Sequence, residues 1–244
     1  MALAGKRIVV TRPRELAGVL AALIRQARGE ALLFPAIEIR DAQDPARARA
    51  VLDRLQEFEL AVFVSPSAVR KAFELAPGRP WPRVAAVGEG TRRELEQRGL
   101  REVIAPAGQA DSEALLALPE LAQIAGAKVL ILRGAGGREL LGETLAARGA
   151  TVEYAECYRR VRPQAGATPP PEGRIDALCV SSGEALANLA ALLGRERLSD
   201  TPLFVSHPRV EAQARELGLR RPVLAGPGDA DMLAALVAYF DAAK

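Results

Sequence analysis

Residues 8–12 read IVVTR and residues 129–133 read VLILR, so two short apolar runs of the chain each end in an arginine. Each run is followed by the tripeptide REL and by a helical pattern that closes in Arg-Gly, at 28–29 and at 148–149. The two strand-end arginines are 121 positions apart and the two closing glycines are 120 positions apart. This near-equal spacing indicates one strand–arginine–helix unit that occurs twice in the chain.

Two further pairs of segments extend the duplication. LAVFVSPS at 60–67 resembles DALCVSSG at 176–183, and VGEGT at 87–91 resembles VSHPR at 205–209. The first unit stands at the start of the chain, whereas its copy comes in the middle, after the segments at 60–67 and 87–91. This order predicts two five-stranded domains, of which the first combines the N-terminal two strands with the C-terminal three. Repeated β–α units in one longer sheet are the alternative.

Short apolar runs alternate with amphipathic stretches along the chain, which predicts an α/β fold with parallel sheets. Four helical patterns close in glycine, at Gly29, Gly99, Gly149 and Gly218. We expect each of these glycines to take the left-handed conformation that ends a helix. The predicted strands are Arg7–Thr11, Ala31–Phe34, Leu60–Val64, Val84–Val87, Glu102–Ala105, Lys128–Leu132, Thr151–Ala155, Asp176–Val180, Leu203–Val205 and Val223–Ala225.

Two proline-containing segments interrupt this alternation and are the predicted linkers. We place domain 1 at residues 1–36 and 173–244, domain 2 at residues 42–156, and the linkers at residues 37–41 and 157–172. The first halves of the two segments, Ile37–Arg40 and Cys157–Val161, can pair as short extended strands. The chain would then cross twice through a two-stranded connector.

The composition is that of a folded protein with a mild basic balance. The net charge of +3 and the pI of about 9.1 favour an anionic ligand. No Lys/Arg block or aromatic–basic interleaving occurs, so nucleic acid is not an expected partner. Cys157 and Cys179 lie outside any C-x-x-C motif, and with a single histidine, His207, they predict no zinc site. The absence of a signal-peptide pattern and of a membrane-length apolar run predicts a cytoplasmic protein.

Polar residues follow several of the predicted strands. Ligands of parallel α/β sheets bind beyond the carboxyl ends of the strands, where helix N-termini attract anions and arginine matches a carboxylate. Arg12 and Arg133 end equivalent strands, so they are candidate ligands for an acidic small molecule held in one cleft, although each can also be a solvated strand end. The hydroxyl residues at strand–helix turns can equally be simple helix N-caps. They are Ser65, Ser67, Thr91, Ser181 and Ser182.

A glycine-rich turn at residues 134–137 reads GAGG. It predicts a close backbone approach to a ligand, although it lacks the Lys-Ser/Thr of a P-loop and the G-x-G-x-x-G spacing. No Ser-His-Asp set accompanies His207, a residue more often structural than catalytic, and no paired-carboxylate motif occurs. If the protein is an enzyme, it works mainly by binding and shaping its substrate.

Five segments in order resemble the uroporphyrinogen-III synthase family, and the resemblance covers nearly the whole chain. They are VVTRP at 9–13, FVSPSAV at 63–69, VGEGT at 87–91, LRG leading to GREL at 132–140, and YRR at 158–160. The resemblance implies two flavodoxin-like domains, discontinuous in sequence and joined by a two-stranded connector. It implies a lyase of porphyrin and haem biosynthesis that closes hydroxymethylbilane into uroporphyrinogen III, with loss of water and inversion of the last ring. No cofactor and no metal are implied.

The resemblance also implies site residues. Tyr158 is the implied proton donor to the departing hydroxyl, and Thr91 is a second catalytic residue. The partner of this threonine in the other domain would fall at Arg209 or Val210, so this sequence departs from a paired threonine role. The substrate carries eight carboxylates, and the residues expected to bind it are Arg12, Ser65, Ser67, Gly88, Arg133, Gly134, Arg138, Ser181, Ser182 and His207.

The expected partner is the small-molecule substrate hydroxymethylbilane, and a transient contact with the preceding, bilane-forming enzyme is left open. We expect a monomer that binds neither nucleic acid nor a membrane. Two other functions stay open from the residues alone. One is a non-enzymatic two-domain binding module for a small acidic ligand, and the other is a nucleotide-using transferase.

Overall fold

The computed structural model describes residues 3–107 and 111–242, which form eleven strands and eleven α-helices. The strands are β1 (Arg7–Val10), β2 (Glu30–Leu33), β3 (Glu38–Asp41), β4 (Leu60–Phe63), β5 (Arg83–Ala86), β6 (Val103–Ile104), β7 (Lys128–Gly134), β8 (Thr151–Val161), β9 (Ala177–Val180), β10 (Leu203–Val205) and β11 (Pro222–Leu224). The helices are α1 (Gly18–Gln26), α2 (Pro45–Leu52), α3 (Pro66–Leu75), α4 (Glu89–Gln97), α5 (Ser112–Leu116), α6 (Pro119–Ala122), α7 (Leu140–Ala147), α8 (Gly183–Leu193), α9 (Arg195–Ser199), α10 (Pro208–Glu216) and α11 (Asp229–Ala242). None of these described helices has both the length and the apolar character needed to cross a membrane.

The chain divides into two compact units. Unit 1 is the chain up to Glu38 together with the chain from Val161 onward, and unit 2 is Ile39–Arg160. One sheet has the order β11-β10-β9-β1-β2, and its neighbouring strands all run parallel. Counted along unit 1, this is the flavodoxin order, which reverses between β1 and β9.

The second sheet has the order β3-β8-β7-β4-β5-β6, with parallel pairing from β8 to β6. Here β7 and β8 take the places that β1 and β2 have in the first sheet, and β4, β5 and β6 take those of β9, β10 and β11. The duplicated segments recognised in the sequence therefore occupy equivalent positions in two like sheets. The predicted α/β class with two parallel-sheet bodies is confirmed, and the alternative of one longer sheet is wrong. The domain and linker boundaries that we proposed stay a prediction.

All ten predicted strands are present, and the first halves of both linker segments overlap strands of the second sheet, where β3 is the neighbour of β8. Strand β3 is an edge strand that reads EIRD, and it overlaps Ile37–Arg40, the first half of the first linker segment, for which an extended strand was expected. Strand β8 continues beyond the predicted end at Ala155 to Val161. It does so because β7 beside it continues to Gly134 and pairs with β8 as far as Tyr158.

The central strands are buried on both faces, which explains why they read as continuous apolar runs. All four residues of β4 and all four of β9 are buried. In unit 2, Leu52 and Leu95 belong to the core on one face of the sheet, and Leu121 and Leu145 belong to the core on the other. The polar residues just beyond the strand ends are therefore the first that can meet a ligand.

Three of the four helix-closing glycines adopt the predicted left-handed conformation. Gly99, Gly149 and Gly218 have φ of +90°, +89° and +80°. After the first helix the prediction is wrong, because Arg28 takes the positive φ, at +66°. Glycine follows it for a different reason, since a Cβ at Gly29 would lie 2.9 Å from Cγ2 of Ile24. At that helix end Gly29 is required because it has no side chain, and not because it adopts a positive φ.

The two cysteines are unpaired and lie in the cores, where Cys157 is 1% and Cys179 is 2% exposed. Burial raises the pKa of each thiol to about 12. The thiolate is the nucleophile, so both groups are in their unreactive form at pH 8.

We expect Ellman's reagent at pH 8 to label the native protein slowly and both cysteines at once after denaturation. Rapid labelling of a thiol in the native protein would contradict this.

Candidate active site

Ser65 and Tyr158 meet at the carboxyl end of β4, where the strand order of the second sheet reverses. Ser65 is the N-cap of α3, and its Oγ accepts a hydrogen bond from the backbone N–H of Ala68 at 3.1 Å. Serine followed by proline is a strong signal for a helix start, since serine caps and proline is preset for the first turn. The Tyr158 side chain is buried, and its hydroxyl lies 3.0 Å from Ser65 Oγ.

Gly134 lies opposite Tyr158 in the pairing of β7 with β8. The register shifts between Arg133 and Gly134, so that Cys157 is an extra residue on the β8 side. A Cβ at Gly134 would lie 2.7 Å from Cε2 and Cζ of the tyrosine ring. We expected this glycine to allow a ligand to approach the backbone, but in this structure the approaching group is the protein's own Tyr158 ring.

Arg133 is held by three neighbours. Its Nη2 lies 2.9 Å from Oε1 of Glu139 and 3.5 Å from Oε1 of Glu156, and its guanidinium lies 4.3 Å from the centre of the Tyr154 ring. The hydrogen bond from Arg133 holds the pKa of Glu139 below its ordinary value, and Tyr154 adds to this effect. Nε and Nη1 of Arg133 are buried without a hydrogen-bond partner among the described residues. A hydrogen-bond acceptor that reached these donors would gain free energy from them.

Arg133 and Tyr158 line the same cavity of unit 2, which has a volume of about 510 Å³. This is within the range of about 300–1,000 Å³ that small-molecule sites occupy. The cavity is bordered by Ala42, Gln43, Asp44, Arg47, Ala48, Arg133, Ala135, Glu139, Tyr154, Glu156 and Tyr158. Among the described residues no group of three or more His, Cys, Asp or Glu side chains is arranged to hold a metal ion.

The remaining candidates of unit 2 stand at helix starts or on the surface. Gly88 is the N-cap of α4, and Thr91 is buried in the first turn of that helix. Ser67 is buried in the first turn of α3, so neither Ser67 nor Thr91 is a cap. Arg138 is exposed and forms an ion pair of 2.5 Å with Glu113.

Unit 1 contains the other arginine. Nη1 of Arg12 lies 2.5 Å from Oδ1 of Asp229 at the start of α11. The carboxylate of Asp229 therefore already occupies the position that a ligand carboxylate would take on this side of Arg12.

The serines and the histidine of unit 1 lie at strand–helix turns. Ser182 caps α8 by accepting the N–H of Ala185 at 3.1 Å, and the carbonyl of Ser181 accepts a hydrogen bond from Ser206 Oγ at 2.8 Å. His207 is the partly exposed N-cap residue of α10, and its side chain forms no capping hydrogen bond. The simple capping interpretation thus applies to Ser182, as it does to Ser65 in unit 2.

Four of the predicted site residues come together in unit 2: Ser65, Arg133, Gly134 and Tyr158. The predicted site residues of unit 1 are Arg12, Ser181, Ser182 and His207, and the prediction that Arg12 and Arg133 face one cleft stays a prediction. Sequence reasoning missed the carboxylates that hold the arginines, which are Asp229, Glu139 and Glu156. Glu139 lies inside the REL tripeptide that marked the duplication, so its position next to Arg133 was open to inference.

Comparisons with known proteins agree on one family. A model of the family described as uroporphyrinogen-III synthase HemD matches residues 18–234. The chain is 38% identical over 239 residues to uroporphyrinogen-III synthase of Salmonella typhimurium and 36% identical over 246 residues to that of Escherichia coli. Each match covers 93% of this chain and 97% of the relative.

Solved structures show the same fold at lower identity. A mutant uroporphyrinogen III synthase of Thermus thermophilus superposes with a TM-score of 0.61 at 20% identity, covering 98% of this chain and 100% of that one. Uroporphyrinogen-III synthetase of Helicobacter pylori superposes with a TM-score of 0.65 at 14% identity, covering 96% and 99%. Since the family match spans most of the residues and the curated relatives align nearly end to end, this chain belongs to the uroporphyrinogen-III synthase family.

Proposed function

We propose that this chain is the enzyme that closes hydroxymethylbilane into uroporphyrinogen III, with loss of water and inversion of the last pyrrole ring. Family membership supports the reaction. The observation that assigns the reaction to particular residues is that Arg133 and Tyr158 line one cavity. A non-enzymatic binding module is not favoured, because the relatives named above are synthases.

The cavity supplies binding for an acidic substrate. Hydroxymethylbilane carries eight carboxylates, and two buried nitrogen atoms of Arg133, Nε and Nη1, lack an acceptor among the described residues. A hydrogen bond to a charged group contributes about 1.5–3 kcal/mol, so one substrate carboxylate on Arg133 increases affinity by about 10- to 100-fold. Glu139 and Glu156 keep the guanidinium in place through Nη2 and leave the other donors for the ligand.

Tyr158 supplies the acid in this proposal. Its phenol proton passes to the terminal hydroxyl of the bilane, the C–O bond breaks, and water departs, which leaves a protonated, electrophilic azafulvene and the tyrosinate. The substituted carbon of the last ring attacks, and the spiro intermediate fragments and recloses with that ring inverted. The final bond forms at the unsubstituted carbon of the last ring, and the hydrogen of that carbon leaves as the proton that restores the phenol. Since uncatalysed closure gives the uninverted isomer, the main contribution of the enzyme is the substrate conformation that it enforces.

The product isomer tests this function. Purified protein given freshly made hydroxymethylbilane should yield uroporphyrinogen III, separated from isomer I by chromatography after oxidation. Bilane incubated without protein is the control and should give isomer I. Isomer I alone in the presence of the protein would refute the proposal.

Arg133→Ala is expected to raise KM by about tenfold or more while the product stays isomer III, because a carboxylate contact made in both ground and transition states is lost. Arg12→Ala should act in the same direction from unit 1. The matched control is Arg79→Ala, which also removes an arginine paired with a carboxylate, that of Asp53, and which lies outside the cavity. Unchanged KM in both test variants would contradict the assignment of these arginines.

We also propose that the protein acts in the cytoplasm as a monomer with hydroxymethylbilane as its small-molecule partner. A transient contact with the bilane-forming enzyme would let hydroxymethylbilane, which also closes without a catalyst, reach this protein without being released into solution. Nucleic acid and membrane have no part in this proposal. Thr91, Ser67, Gly88, Gly134, Arg138, Ser181, Ser182 and His207 stay proposed site residues.

A further inference from the structure

We infer that Ser65 is a positioning residue for Tyr158, whose hydroxyl it holds in place and whose oxygen it stabilises after the phenol proton has been given up. The inference rests on the proposed function and deepens it. It changes the role of Ser65, which the sequence suggested as a substrate ligand. Whether Ser65 is a substrate ligand or a positioning residue depends on which of its hydrogen-bonding groups already have a partner in the protein.

The hydroxyl of Ser65 has one proton to donate and two lone pairs to accept with. One lone pair accepts the N–H of Ala68, which is the capping bond of α3. The other close contact is with the Tyr158 hydroxyl, at 3.0 Å. The proton of Ser65 can therefore be donated to the tyrosine oxygen, and it forms a charge-assisted hydrogen bond once that oxygen is anionic.

The start of α3 strengthens this effect. Helix α3 has ten residues, and its N-terminus carries a partial positive charge from the aligned peptide dipoles. Through the Ser65 hydroxyl, this end of the helix faces the atom on which negative charge develops. The ring cannot readily turn away, because Tyr158 is 3% exposed and packs closely against Gly134.

The duplication offers an internal comparison. Ser65 follows the end of β4 by two residues and Ser182 follows the end of β9 by two residues, and each caps the next helix with a bond of 3.1 Å. The chain has three tyrosines, and the only one in unit 1, Tyr239, lies on α11. Both units thus use serine as a cap, whereas the contact with a tyrosine from the paired strand belongs to unit 2. Capping explains the serine in both units but does not explain the phenol contact.

The test separates capping from positioning with two substitutions of one residue. Ser65→Gly removes the hydroxyl but keeps most of the capping preference, whereas Ser65→Thr keeps both. We expect Ser65→Gly to lower kcat by about 10- to 100-fold with KM within twofold, and Ser65→Thr to recover most of the rate. In the Tyr158→Phe background, Ser65→Gly should cause no further loss, since the two residues act as one unit. Equal losses in both backgrounds, or an unchanged kcat, would overturn the inference.

A spectroscopic readout makes the result independent of turnover. In protein labelled with ¹³C at the tyrosine ring, the Tyr158 signal is identified by its absence in Tyr158→Phe. We expect this signal to shift in Ser65→Gly and to stay near its wild-type position in Ser65→Thr. An unmoved signal in Ser65→Gly would overturn the positioning role even if activity fell. If the wild-type protein made isomer I alone while the signal still responded to Ser65, the proposed function would fail and the contact between the residues would stand.

Discussion

Tyr158→Phe is expected to lower kcat by about 10²- to 10⁴-fold, the range that general acid catalysis contributes. The substitution removes one oxygen atom and keeps the ring that packs against Gly134. The loss of the hydrogen bond to Ser65 should cost only about 0.5–1.5 kcal/mol of folding free energy, so the protein stays folded. A large kinetic effect with a small change in stability is the result expected when a group is needed for the reaction and not for the fold.

The measurement is the rate of uroporphyrinogen III formation, with the free energy of unfolding taken from urea denaturation of the same sample. Tyr239→Phe is the matched control, because it also removes a phenol hydroxyl, one that contacts Arg221 in unit 1. This control should keep the wild-type turnover. Turnover of Tyr158→Phe within a factor of about three of wild type would remove Tyr158 from the acid role.

Gly134→Ala is expected to lower the free energy of unfolding by about 1–3 kcal/mol and to reduce turnover sharply. The added methyl group would lie 2.7 Å from two atoms of the Tyr158 ring, which is closer than carbon atoms can pack. Gly134 is buried within a paired part of β7, so the ring has to move away from it. Displacement of the ring takes the phenol oxygen away from Ser65, and therefore activity and stability fall together.

Urea denaturation and the synthase assay measure the two effects. Gly18→Ala is the control, because a Cβ at this position in α1 meets no atom within 4 Å. Alanine there should keep the stability at the wild-type value or raise it slightly, since Gly18 is the first residue of α1 and the full cost of glycine, about 1 kcal/mol, applies to helix interiors. Wild-type stability and turnover in Gly134→Ala would show that the Tyr158 ring adapts without loss, which would contradict the role of the glycine described above.

Much of the fold could be predicted from the sequence because its signals are local. An apolar run followed by an amphipathic stretch requires only neighbouring residues to indicate a strand and a helix, and all ten predicted strands occur in the structure. The order of the duplicated segments also indicated that the two units begin at different strands of the same fold. The linker segments Ile37–Arg40 and Cys157–Val161 were expected only as strands that can pair, and the structure has them in β3 and in the end of β8. Their own residues left this open, because their extended conformation depends on the strands beside them.

Single residues of the candidate site could be predicted from the sequence, but the contacts between them could not. Arg133 was named from the duplicated strand ends and Tyr158 through the family resemblance, whereas the partners of Arg133 were not named. Glu156 is held near Arg133 by the pairing of β7 with β8, and Asp229 reaches Arg12 from a helix near the other end of the chain. Carboxylates at such sequence distances have no local pattern that would identify them.

The sequence by itself determined two like α/β units, their permuted order and the arginine at the end of the first strand of each duplicated segment. These features follow from hydrophobic periodicity and from repetition along the chain. Only the tertiary structure decided that Ser65 meets Tyr158, a residue 93 positions away. That contact requires the extra residue Cys157 to shift the register of β8, and it requires Gly134 to leave space for the ring. Both are properties of paired strands, and so they depend on packing rather than on the pattern of either segment.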